Sequence, residues 1–71
     1  MTPRQEFAYN ILFQSQDIET NCTISIHELG FPPGPDSINP AIADFETLKT
    51  LEKITDFERV SSRVFKIIGI K

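Results

Sequence analysis

Cys22 and His27 are the chain's single thiol and its single imidazole, and they are the only pair in it that could support nucleophilic catalysis. Such chemistry needs a nucleophile, a base and an orienting group within bonding reach. Cys22, Ile24 and Ile26 alternate with Thr23, Ser25 and His27, a period of two that predicts a strand. On a strand, residues 22 and 27 point to opposite faces, so a Cys–His dyad is not expected. Cys22 reads as a small core residue and His27 as a surface or strand-end side chain.

Other chemistries lack their parts. One Cys and one His are too few soft ligands for a structural zinc site, and one Cys excludes an intrachain disulfide. The spaced acids Asp17/Glu19 and Asp56/Glu58 do not follow a calcium-loop pattern. Three glycines do not form a phosphate-cradling loop. The expectation is a non-enzymatic protein with no cofactor, no metal and no small-molecule substrate. Asn21-Cys22-Thr23 matches a glycosylation sequon, read as chance in a chain whose N-terminus lacks a signal peptide's apolar stretch. No apolar run approaches the ~20 residues of a membrane span. A cytoplasmic location and no membrane partner are therefore expected.

Seventy-one residues make one small domain, residues 1–71, near the lower size limit for unassisted folding. With disulfides and metals set aside, good packing or oligomerisation must stabilise it. The formal charge of −3 is unevenly distributed. Residues 1–48 carry one basic and seven acidic side chains, a net −6, while residues 49–71 carry six basic and three acidic, a net +3. Two readings compete: a cationic end for polyanions, or mutual attraction of the two halves within the fold or across a dimer.

The elements that would position these residues follow from caps and periodicity. Thr2, Pro3 and Gln5 suit the cap, first and capping-box positions of a helix over 2–16. Phe7, Ala8, Ile11 and Leu12 share one face of it, with Tyr9 and Phe13 on a flank. A helical turn capped by Ser25 and Glu28 and ended by Gly30 competes with a strand over 22–26, and the favoured reading is the strand followed by one such turn. Residues 30–36 form a proline-rich loop in which Phe31 folds back onto the core. Its P-x-x-P pattern lacks the basic flanks of an SH3-type ligand.

Asn39 and Pro40 predict a second helix over 40–54. Its Ile42, Phe45, Leu48, Leu51 and Ile54 recur every three residues, so the apolar arc covers more than half the helix. Either it is wedged between a helix and a sheet, or part of it awaits a second chain. Residues 56–70 read as a hairpin of 57–60 and 63–68, with a loop slightly longer than the tightest turns at Ser61-Ser62. Val64, Ile68 and Ile70 are even positions and Phe65 and Ile67 odd, so both faces of the last strand are apolar. It is then central or covered twice, or one face is a docking patch.

The expected architecture is α+β in the order α-β-α-β-β, a three-stranded antiparallel sheet with two helices. This order resembles a winged helix, with the loop 30–37 where that fold's middle helix would stand. Two functions follow. The first is a small protein-interaction, accessory or regulatory module or homodimer, contacting its partner through Leu51, Ile54, Phe65 and Ile67. The second is a winged-helix-like nucleic-acid-binding regulator, with Lys49, Lys53, Arg59, Arg63 and Lys66 as phosphate contacts. A pI near 4.9 and the acids Asp44, Glu46 and Glu52 on the second helix weigh against the latter.

Overall fold

Thr2 opens the first helix, α1 (Pro3–Ser15), with both bonds of a capping box: its hydroxyl accepts from the Gln5 amide at 3.2 Å, and Gln5 Oε1 accepts from the Thr2 amide at 2.9 Å. Ala8, Ile11 and Leu12 face the core as expected, but Gln5 takes the place of Phe7. Gln5, Ala8 and Leu12 point inward, Ile11 is half-buried and Phe7 is about half exposed. The polar Gln5 takes the inner position because its amide Nε2 donates to the buried Asp44 at 3.2 Å. A stripe centred on residues 5, 8 and 12 rotates Phe7 outward.

The computed structural model describes residues 1–71. The two competing readings after residue 21 are realised in succession. Cys22–Ser25 is a strand, β1, and Ser25 then caps a 3-10 turn at Ile26–Leu29, with Glu28 completing the capping box. Gly30 ends that turn at φ 88°, a left-handed conformation that disfavours a side chain. Phe31 folds back onto the core, as expected.

The second helix begins and ends earlier than its sequence signals suggest. A 3-10 turn at Pro35–Ser37 runs directly into α2 (Ile38–Thr50). Asn39 and Pro40 therefore lie inside the first turn rather than at its cap. First-turn amides have no intrahelical acceptor, so a proline there removes nothing the helix uses. The Ser37 hydroxyl donates to the Pro32 carbonyl at 2.7 Å instead of capping α2.

At the other end, the Lys53 amide donates to Leu48 O at 2.9 Å and the Glu52 amide to Lys49 O at 3.0 Å. With Glu52 at φ 61°, this is a Schellman reversal. It stops α2 before residue 54 and turns Ile54 back into the core.

The three antiparallel strands are β1, β2 (Asp56–Arg59) and β3 (Val64–Ile68), in the spatial order β1-β3-β2. The last strand is central, as its two apolar faces predict. The helices cover one face of the sheet. Phe45 of α2 packs on Phe65 and Phe57, with ring centroids 5.1 and 5.5 Å apart. Asp44, next to it, reaches α1 through Arg4 and Gln5. The broad arc of α2 is thus wedged between helix and sheet. One cluster of 14 buried apolar residues forms the core. The smallest dimension of the molecule, 17 Å, fits two layers and leaves no third.

Candidate functional site

The four residues expected to meet a partner do not form one surface. Ile54, Phe65 and Ile67 are each at most 1% exposed, so no partner reaches them in the folded chain. Leu51 alone is exposed, just past the end of α2. The expectation fails for a physical reason. The Schellman turn folds Ile54 inward, and α2 packs on the odd face of β3, which carries Phe65 and Ile67.

The five cations are largely engaged within the chain. Lys49 Nζ lies 3.2 Å from Asp56 Oδ1. Lys53 Nζ sits 5.6 Å from the Tyr9 ring centroid. Arg59 donates to the carbonyls of Ser61 and Ser62 at 3.2 and 3.1 Å, which folds it around the hairpin loop. Arg63 donates to the carbonyls of Gly34 and Pro32 at 2.6 and 2.9 Å, tying that loop to the proline-rich segment. Beside it, Gly34, Pro35, Ile38, Ser62 and Arg63 line an open depression of about 280 Å³. Lys66 makes no ion pair.

Neither ion pair joins the acidic half to the basic third. Arg4–Asp44 lies within residues 1–48, and Lys49–Asp56 within 49–71. The charge asymmetry is not spent on holding the halves together by salt bridges. Arg4 and Asp44 have a structural role. Asp44, almost fully buried, accepts from Arg4 Nε at 2.7 Å, Arg4 Nη2 at 3.0 Å and Gln5 Nε2. Hydrogen bonding to Asp44 raises the Arg4 pKa further.

Cys22 is buried opposite Ile67, while His27 stands exposed in the first 3-10 turn. Burial, then the carboxylates of Glu28 and Asp17, push the Cys22 thiol up from its ordinary range. A thiol held neutral is a poor nucleophile. No three His, Cys, Asp or Glu side chains gather closely enough to hold a metal ion. No helix is long and apolar enough to cross a membrane.

What the helices leave open is the other face of the sheet. Along β3, Phe65 and Ile67 point inward, while Val64, Lys66 and Ile68 point outward and are half-buried. Register places their neighbours. Lys66 stands between Thr23 of β1 and Glu58 of β2, Val64 beside Ser25, and Ile68 beside Asp56. The Val60 amide donates to Val64 O at 2.8 Å, which sets the half-exposed Val60 next to Val64. The outer face therefore holds a row of Ser25, Val64 and Val60, a row of Thr23, Lys66 and Glu58, and Ile68 beside Asp56.

No family model matches the chain. No curated protein and no solved structure is significantly similar to it.

Lys66 is among the expected contacts, but Val60, Val64 and Ile68 were missed because both parities of β3 are apolar and the bulkier pair, Phe65 and Ile67, drew the assignment. A usable signal was present. Lys66 belongs to the even set and Glu58 faces it across the hairpin, and an unburied charged pair marks the solvent side of a two-layer sheet.

Proposed function

We propose that this chain is a non-enzymatic protein-binding domain whose contact surface is the outer face of its sheet. The observation that carries this reading is the set of aliphatic side chains on that uncovered face. Solvated faces of antiparallel sheets are normally polar, yet among Thr23, Ser25, Asp56 and the Lys66–Glu58 pair this one also carries the exposed Val60 and the half-buried Val64 and Ile68. These side chains do not belong to the buried cluster or to the partly buried residues packed on it. Contacts of this kind, aliphatic side chains beside a charged pair, suit a partner protein surface. The reading includes a regulatory or accessory role and a cytoplasmic setting, supported by the single unpaired Cys22.

The test is selection from a phage-displayed library of random peptides on the intact chain. Enriched peptides should lose most of their binding to the Val64→Asp and Ile68→Asp variants and keep it with Phe13→Ser, which changes an exposed residue of α1. Peptides that bind all three variants alike, or no enrichment, would overturn the assignment.

The alternative, a nucleic-acid-binding regulator, has less support. Four of its five cations are already engaged inside the chain, and Glu58 stands next to the fifth, Lys66. A titration against random duplex decides it. Phosphate contacts would give an affinity that falls steeply with salt.

A further inference from the structure

Two rows of the outer face of the sheet are complementary to themselves, Lys66 with Glu58 in charge and Val64 with Val60 in apolar character. Lys66 and Glu58 are direct cross-strand neighbours, and Val64 and Val60 are neighbours in the next row. Neither Lys66 nor Glu58 takes part in an ion pair within the chain. A two-fold axis running between β2 and β3, parallel to the strands, exchanges the positions of those two strands in a second copy. Lys66 then lies over Glu58 of the partner subunit, and Glu58 over the partner subunit's Lys66. Val64 and Val60 meet in the same reciprocal way. This is the isologous arrangement of a two-fold dimer, in which each contact occurs twice. In the third row the same axis sets Ile68 over the partner subunit's Asp56, an aliphatic group against a carboxylate that Lys49 and the Phe57 amide hold at the rim.

We infer that the partner is a second copy of this chain, and that two copies pack sheet on sheet with Lys66 against Glu58 across the interface. The inference rests on the outer sheet face being the binding surface. It names the occupant by the chemistry the face presents: a surface with an anion over Lys66, a cation over Glu58 and aliphatic groups beside them. Sheets packed face to face stand about 10 Å apart, and a lysine and a glutamate span that distance between them.

Size sets the strength. The two-fold axis overlaps β2 and β3 alone, two strands about 4.8 Å apart and each roughly five residues of about 3.3 Å long (56–60 and 64–68), a face of roughly 10 by 16 Å. That is far below the ~800 Å² per partner of standard stable complexes, so the dimer is weak and reversible. The equilibrium is therefore followed from about 10 µM to 1 mM of chain.

Sedimentation equilibrium of the full chain across that concentration range tests it. The wild type should fit a monomer–dimer equilibrium. Lys66→Glu and Glu58→Lys, each shown folded by circular dichroism, should each dimerise at least tenfold more weakly, because both place like charges across the interface. An equimolar mixture of the two variants should regain dimerisation, since one chain then offers two acids and the other two bases. Mixing cannot repair a contact inside one chain, so recovery locates the pair between subunits. Val64→Thr, which alters no charge, should weaken the dimer several-fold.

A dimer indifferent to both charge changes, or a mixture that stays monomeric, overturns the inference. A monomeric wild type that still captures peptides through Val64 and Ile68 overturns the dimer and leaves the binding face standing. A monomer that captures none overturns both.

Discussion

Arg4 grips Asp44 across 40 residues of sequence with two hydrogen bonds, from Nε at 2.7 Å and Nη2 at 3.0 Å. The two partners differ in solvent exposure: 54% for the arginine side chain and 3% for the aspartate. That asymmetry makes the cost of breaking the pair depend on which end is cut. Arg4→Ala leaves a buried carboxylate with only the Gln5 amide, and should destabilise by about 2–3 kcal/mol. Asp44→Asn leaves an arginine that turns to water, and should cost about 1 kcal/mol. Urea denaturation of both variants measures the difference. The reverse order would show that the carboxylate escapes to solvent when Arg4 is removed.

Two of the residues at positive φ, Glu52 and Gly69, have opposite consequences for substitution. Glu52, at φ 61°, occupies the position after α2 where glycine is preferred. Glu52→Gly should stabilise by about 0.5–1 kcal/mol, seen as a rise of roughly 5 °C in melting temperature. Gly69, at φ 68°, has no room for a side chain, since an added Cβ would overlap Thr55 Oγ1 and lie 2.7 Å from Thr55 Cβ. Gly69→Ala should lower stability by about 2 kcal/mol or more.

The pH dependence of stability at the start of β2 follows from Asp56. Its carboxylate accepts from the Phe57 amide at 2.8 Å and from Lys49 at 3.2 Å, and these bonds lower its pKa below the ordinary 3.8. A depressed carboxylate stabilises the fold above its unfolded pKa, and that stabilisation is lost as pH falls through the folded value. Urea midpoints of the wild type should therefore exceed those of Asp56→Asn at about pH 6, and the gap should narrow below about pH 4. A gap constant across this range would show that the two hydrogen bonds do not favour the ionised form.

Cys22 provides a probe of global opening. Its thiol is buried and its pKa is raised by burial first and by Glu28 and Asp17 next. The neutral thiol stabilises the fold below its unfolded pKa, and that contribution fades as pH rises through the higher folded value. Near pH 8, iodoacetamide should alkylate the native chain at least tenfold more slowly than the urea-unfolded chain. Equal rates would place the thiol in open solvent.

What the sequence determined by itself are the features decided within a few residues. Thr2 with Gln5 and Ser25 with Glu28 set two helical starts, because a cap satisfies amides only two or three positions away. The apolar run 64–68 announced a central strand, and the α+β order followed from periodicity. Tertiary structure decided the rest. Gln5 displaced Phe7 from the inner face of α1 because Asp44, 39 residues away, offered it a bond. Glu52 ended α2 in a conformation that no local preference of glutamate requires. Both faces of β3 carry bulky apolar residues, with Lys66 the one sequence mark of the solvent side, and the packing of Phe45 on Phe65 made the odd face the core and the even face, with Val64, Lys66 and Ile68, the surface. Alternation shows that a strand has two faces, and long-range packing chooses which one meets water.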